Sequence, residues 1–332
     1  MASSELVRIR VLTRLFAPES PSAASGVQLG IGDDAAVLAP SAEPLVWTID
    51  AAVDGVHFRR AWLSFEDIGY RSTMAAVSDL AAMAAEPLGV LSALVLPEDV
   101  TDDDLFALAR GQKEAASAAG TAVIGGNLAR GRELSITTTA LGRTPRPFPR
   151  GGARPGDVLW LLGPVGLAAA GLRFLQRSSL SRDVLAEDGA RDVARSCVAA
   201  WRRPRALLAG GLSLRGVASA AVDVSDGLAR DVGHLARASG VVAVIETAAL
   251  EDAPDLRAAA EALGASALDL ALFGGEDYAI AFTAAPGARV PSAVEIGRIE
   301  APAGGQLPGV VARRPDGSRE PLGDGGFDHF AR

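Results

Sequence analysis

The chain has 332 residues, enough for two ordinary domains, and 49% of them are hydrophobic, so a sizeable core is within reach. Its formal net charge is -8, which argues against nucleic acid as a partner, since that role asks for a basic stripe. The one cysteine, Cys197, excludes an intrachain disulfide and a Cys-based metal cluster within one chain.

Met1 to Phe16 places Leu6, Ile9 and Phe16 at helical spacing, with Arg8, Arg10 and Arg14 between them. It lacks the uninterrupted apolar core of a signal peptide. Leu45 to Ile49 reads as a strand. Ser64 with Asp67 looks like a capping box opening a helix. Val90 to Leu96 is a short apolar run stopped by Pro97, as a buried strand would be. Thr101 with Asp104 opens a second helix in the same way, and Thr121 to Ile124 reads as another strand. Leu134, Ile136 and Thr138 alternate with Ser135, Thr137 and Thr139, the pattern of a half-buried strand.

Between Arg143 and Gly156 the texture changes. Pro145, Pro147, Pro149 and Pro155 with paired glycines make this the best linker candidate. Beyond it come a strand at Val158 to Leu162, helices from about Gly166 and near Val193 to Trp201, and a strand at Ala220 to Val224. A helix from about Gly227 to Ala238 and a strand at Val241 to Ile245 follow. The most apolar stretch, Val158 to Leu175, is broken by Gly163, Pro164 and Gly166, so it reads as strand, turn and helix start, not as a membrane span. The expectation is a cytoplasmic α/β (α+β) protein with no membrane contact and two domains, 1–148 and 149–332.

Six constellations hold the polar chemistry. Gly30-Ile31-Gly32-Asp33-Asp34 sets two carboxylates behind a tight backbone path; alone it is a common turn. Asp50 is expected at the C-terminal end of its strand, where open α/β sheets gather ligands, and Asp54-Gly55-Val56-His57-Phe58 follows. His57 reads equally as a substrate contact or a loop histidine. Ser78-Asp79 sits among small apolar residues, where a bare carboxylate would be costly; a metal or a helix cap would each resolve that cost. Gly125-Gly126-Asn127 would let a phosphate approach backbone N–H groups, or is a plain turn. Asp223-Val224-Ser225-Asp226-Gly227-Leu228 puts Asp223 and Ser225 on one side, with Asp226 as an N-cap candidate. Gly274-Gly275-Glu276-Asp277-Tyr278 again sets acids after glycines. Repeated isolated carboxylates suit magnesium and phosphates better than zinc or thiolates. No P-loop, protein-kinase or Ser-His-Asp pattern is present.

Taken in order, these motifs, with Ala153-Arg154-Pro155-Gly156-Asp157 and a closing Phe327-Asp328-His329-Phe330, closely resemble the thiamine-monophosphate kinase family. Its superfamily includes aminoimidazole ribonucleotide synthetase, selenophosphate synthetase and a hydrogenase maturation enzyme. The resemblance implies two α/β domains, a homodimer paired through its N-terminal sheets, and ATP in clefts near that interface. It implies transfer of the ATP γ-phosphate to thiamine monophosphate, assisted by several Mg²⁺ ions. By motif, Asp34, Thr48, Asp50, Asp79, Asp223 and Asp226 correspond to the metal site, with Asn127 where the family normally has aspartate. Gly126, Asn127, Arg150 and Ser225 correspond to ATP contacts, and His57, Glu276 and Phe327 to thiamine phosphate contacts. Further departures are Ile49 for a usual threonine, Ala76 for a common asparagine, and Ala279 for a common glutamate. They leave two alternatives: a relative with another small-molecule acceptor, or an ATP-binding homologue with weakened catalysis.

Overall fold

The computed structural model describes residues 4–16, 26–32, 34–178, 188–323 and 325–326. The chain divides into two compact units, residues 1–80 with 85–147, and 81–84 with 148–332. Asp33 and Phe327 lie outside the described residues.

The first unit runs α1 (Glu5–Phe16), β1 (Val27–Leu29), β2 (Val37–Leu38), β3 (Leu45–Val53), α2 (Phe65–Ala82), β4 (Glu86–Leu96), α3 (Asp102–Ala118), β5 (Val123–Arg130) and β6 (Ser135–Arg143). Four strands form a sheet in the order β3-β6-β4-β5, with only β4 and β5 parallel. α3 starts where Thr101 and Asp104 form a reciprocal capping box, as their spacing predicts. Ser64 accepts from the Asp67 N–H at the start of α2. α2 and α3 meet backbone to backbone. A side chain at Gly69 would fall 1.9 Å from the Leu108 carbonyl oxygen, and one at Gly111 would fall 1.9 Å from that of Glu66. In α1 the buried residues are Leu12 and Phe16, while Leu6 and Ile9 are exposed. Arg8 ties that helix to Asp102 at 2.7 Å.

Strand alternation gives the sheet one covered face and one open face. Ile136, Thr138 and Ala140 of β6 are buried, as are Val90, Ser92 and Leu94 of β4. Gln112 of α3 donates to Ser92 at 2.7 Å, so the helices lie on this side. The other face exposes Leu45 at 57%, Trp47 at 71% and Ile49 at 67%.

Three sequence expectations change here. β3 continues to Val53, so Asp50 is mid-strand, opposite Thr138, and not at a strand end. Gly125-Gly126-Asn127 is strand, not turn. A side chain at Gly126 would lie 2.1 Å from the Ser92 carbonyl oxygen, so the glycine serves close strand approach. Ser78-Asp79 lies inside α2, because the surrounding small residues continue the helix.

The second unit runs β7 (Val158–Leu162), α4 (Leu167–Ser178), α5 (Asp188–Arg202), α6 (Leu208–Ser213), β8 (Ala218–Val224), α7 (Leu228–Ser239), β9 (Val242–Glu246), α8 (Thr247–Glu251), α9 (Pro254–Leu263), α10 (Ala267–Phe273), β10 (Ala279–Ala284), β11 (Ala293–Glu300), β12 (Gly309–Arg313) and β13 (Arg319–Leu322). Seven strands order as β13-β12-β9-β11-β7-β10-β8, and only β9 and β12 pair in parallel. Both faces are buried by alternation. Leu159, Leu161, Ala279 and Ala281 join the large core with α4, α5, α7, α9 and α10. Trp160, Leu162, Ile280 and Phe282 join a second cluster with Leu208 and Leu214. Burying large apolar side chains on both faces stabilises a sheet at roughly 25 cal/mol per Å² of apolar surface. Among the described residues no helix is long and apolar enough to cross a membrane.

Candidate functional site

In the first unit three of the polar candidates, Thr48, Asp50 and Asp79, lie on β3 and α2. Thr48 and Asp50 share the helix-covered face of β3, alternating with exposed Trp47 and Ile49. The Thr48 hydroxyl donates to an Asp79 carboxylate oxygen. Asp79 stands in the last turn of α2, which carries no basic residue. Aligned carbonyls make that end of a helix partially negative, so a carboxylate there calls for a donor or a cation. Asp50 accepts from the Ala51 N–H at 2.8 Å. Asp34 is exposed ahead of β2.

His57 lies in the loop after β3. Its Nδ1 accepts from the Val53 N–H at 3.1 Å, which leaves Nε2 as the protonated nitrogen of the neutral ring. The loop is braced by Arg60, which pairs with Asp54 at 2.7 Å and Asp99 at 2.8 Å.

Gly126 and Asn127 are exposed on the edge strand β5. Asn127 aligns through Ala93 and Thr137 with Ala51, one residue out of phase with Asp50. It therefore points to the open face, three strand spacings from β3, about 14 Å. Within one chain it does not join Thr48, Asp50 and Asp79.

In the second unit Asp223 is buried in β8 opposite Ile280. Ser225 and Asp226 follow in the loop to α7. Asp226 is not the N-cap: Gly227 takes that position with φ 121° and no side-chain cap bond. The loop ahead of the helix is instead braced by a side chain from inside it. A carboxylate oxygen of Asp231 accepts from the N–H groups of Ser225 and Asp226, both at 3.0 Å. Burial pushes the Asp231 carboxyl up to about 7, against those two donors. Arg230 stands 3.8 Å from Asp226. Arg150 is exposed, and its carbonyl accepts from Ser239 at 3.0 Å.

The Gly274–Tyr278 loop docks onto this turn. The Glu276 N–H donates to the Ser225 carbonyl at 2.7 Å, and that of Tyr278 to Val224 at 2.8 Å. A side chain at Gly275 would fall 2.5 Å from the Ser225 carbonyl oxygen. Glu276 and Tyr278 take left-handed φ values of 69° and 52°. Such conformations cost about 1–3 kcal/mol each and persist where surrounding contacts fix them. Two contacts do so. Asp277 accepts from the N–H groups of Gly166 at 2.6 Å and Ala168 at 3.0 Å, capping α4. Trp201 donates its indole N–H to Glu276 Oε2 at 2.6 Å. Burial pushes the Asp277 carboxyl up to about 7, with its two N–H donors opposing.

Thr48, Asp50 and Asp79 offer a hydroxyl and two carboxylates, hard oxygen donors of the kind magnesium takes. Among the described residues no three or more His, Cys, Asp or Glu side chains form a ready metal cage. Cys197 is buried and its thiol is pushed up to about 11 by burial, so it is no nucleophile at neutral pH.

Two domain families match this chain: AIR synthase related protein, N-terminal domain, over residues 32–144, and its C-terminal domain over residues 154–307. Thiamine-monophosphate kinase of Salmonella typhimurium is 35% identical over 321 residues, covering 92% of this chain and 93% of its own. The crystal structure of thiamine-monophosphate kinase from Stenotrophomonas maltophilia K279a is 37% identical with a TM-score of 0.78, covering 96% of this chain and 98% of that one. AaThiL complexed with AMPPCP and TMP is 29% identical with a TM-score of 0.78, covering 98% and 97%. The ordered glycine-aspartate motifs, the two-unit α/β fold and this similarity along nearly the whole length place the chain in the thiamine-monophosphate kinase family of AIR synthase related proteins.

Proposed function

We propose that this chain transfers the γ-phosphate of ATP to thiamine monophosphate, giving thiamine diphosphate and ADP. A phosphate oxygen of the acceptor attacks the γ-phosphorus, and the bond to the ADP oxygen breaks. The acceptor oxygen is already anionic, so no side chain is needed as a general base. The task left to the protein is positioning and charge stabilisation. Asp34, Thr48, Asp50, Asp79, Asp223 and Asp226 would hold magnesium, with Asn127 as a neutral oxygen donor. Bound Mg²⁺ supplies positive charge between two anionic reactants.

Gly126, Asn127, Arg150 and Ser225 serve ATP, and His57, Glu276 and Phe327 serve the acceptor. The observation that carries this reading is the 2.7 Å bond from the Glu276 N–H to the Ser225 carbonyl. It ties the acceptor loop to the nucleotide loop, and phosphoryl transfer gains most from fixing donor and acceptor together. The kinship with AaThiL, whose complex holds AMPPCP and TMP, supports the same pair of substrates.

The open sheet face takes a second copy of the chain. Leu45, Trp47 and Ile49 expose a contiguous apolar row on an edge strand, the kind of surface that marks association. Asn127 lies on that face, so its nucleotide contact belongs to the dimer. The expected compartment is the cytoplasm, where ATP is drawn upon.

A second reading, an ATP-binding homologue with weakened catalysis, is favoured by Asn127 alone. ADP release measured with ATP and Mg²⁺ separates the two. Release that depends on thiamine monophosphate, and not on unphosphorylated thiamine, supports the kinase. Nucleotide binding with no acceptor-dependent release supports the second reading.

A further inference from the structure

Glu276 is held by a residue that no sequence motif points to. Trp201 lies in α5 with 1% of its surface exposed, and its indole N–H donates to Glu276 Oε2 at 2.6 Å. The two positions are 75 residues apart in the chain. The backbone of Glu276 is fixed from another side, by its N–H bond to Ser225 and by the Asp277 cap on α4. Those contacts set where the residue sits, and the indole bond holds one oxygen of its carboxylate. A buried ring N–H fixed in direction selects one orientation of a flexible carboxylate.

We infer that Trp201 is the positioning residue for the acceptor, fixing the Glu276 carboxylate in the orientation that receives the cationic heteroaromatic part of the substrate. The inference rests on the reading of Glu276 as the acceptor contact. Its chemistry is specific to that end of the reaction. A thiazolium ring carries positive charge and an aminopyrimidine carries N–H donors, and a carboxylate complements both. ATP offers the loop no such group on its phosphates. A loss of carboxylate orientation therefore weakens the acceptor and leaves the nucleotide alone. Trp201 touches no reacting atom in this scheme and acts through Glu276.

The test is steady-state kinetics on the full chain with Trp201→Phe, Glu276→Gln and the double variant. Losing one hydrogen bond to a charged group is expected to raise the KM for thiamine monophosphate about tenfold. The KM for ATP and kcat stay within about twofold, and the double variant is no worse than Glu276→Gln, as residues acting as a unit are non-additive. An unchanged acceptor KM in Trp201→Phe, an equal rise in the ATP KM, or multiplying effects in the double variant overturns the inference. If Glu276→Gln itself leaves the acceptor KM unchanged, the reading of Glu276 fails. If Glu276→Gln raises it and Trp201→Phe does not, the positioning role alone fails.

A measurement that keeps Trp201 in place covers the case in which Trp201→Phe does not fold. The chain has four tryptophans, so its ¹⁵N-indole spectrum holds four N–H resonances. One of them should shift on adding thiamine monophosphate and also in Glu276→Gln, and it should not shift with a non-hydrolysable ATP analogue. No common resonance, or an equal response to the analogue, overturns the inference.

Discussion

The Thr48 hydroxyl donates to the Asp79 carboxylate, a bond between the edge strand of the first unit and the C-terminal turn of α2. Asp79 sits where a helix end carries partial negative charge, which a facing donor or cation offsets. Asp79→Ala is expected to lower kcat about 100-fold or more, the scale seen when a preorganised charge partner is removed. Thr48→Val keeps the shape and loses the donor. It removes one oxygen donor from the proposed metal site and should raise the magnesium concentration for half-maximal rate about tenfold. Full activity in Asp79→Ala would remove it from the metal site.

Asn127 offers an amide oxygen where a carboxylate would add charge. Asn127→Asp should lower the magnesium concentration needed for half-maximal rate, by several-fold if the position ligates the ion. A magnesium titration of turnover reads this directly. An unchanged midpoint would mean that Asn127 makes no metal contact.

The apolar row Leu45, Trp47 and Ile49 is expected to be covered by a second copy in solution. Trp47→Glu with Ile49→Glu places two like charges on each side of that surface, and sedimentation velocity should report a shift from dimer to monomer. A dimer that survives both changes would put its interface elsewhere.

Asp277 gives a pH signature. Its folded carboxyl lies near 7, above the value of about 3.9 for an unfolded aspartate. Between those values the folded state keeps the proton that the unfolded state has lost, so stability from this group falls as pH rises toward 7. Asp277→Asn does not titrate. The melting temperature of the natural protein minus that of Asp277→Asn should therefore shrink from pH 5 to pH 7 and level off above. A gap that grows with pH over this range would contradict the burial of an anion here.

The sequence carried the parts of the fold that depend on neighbours in the chain. The Thr101–Asp104 capping box and the alternation of Ile136 and Thr138 with polar residues depend on local spacing, and both stand in the structure. The family pattern was legible for the same reason, since its motifs are short and ordered. Reading failed where a residue's purpose lay in another element. Gly126 looked like a turn because its constraint, the Ser92 backbone beside it, is on a neighbouring strand. Ser78-Asp79 looked like a helix boundary, yet the run of alanines carries α2 through it. Asp226 looked like a cap, yet Gly227 is the N-cap, and Asp231 reaches back from inside α7 to hold the Ser225 and Asp226 N–H groups. First-turn acids are common in helices, so nothing local marks Asp231 as different. Trp201 and Glu276 are joined only by the fold.

The central claim is the transfer itself, and ³¹P NMR of the full chain with ATP, Mg²⁺ and thiamine monophosphate tests it most directly. The account predicts thiamine diphosphate and ADP appearing in equal amounts, with no release of inorganic phosphate. ATP consumed to inorganic phosphate, or thiamine monophosphate left unchanged at saturating magnesium, would contradict it.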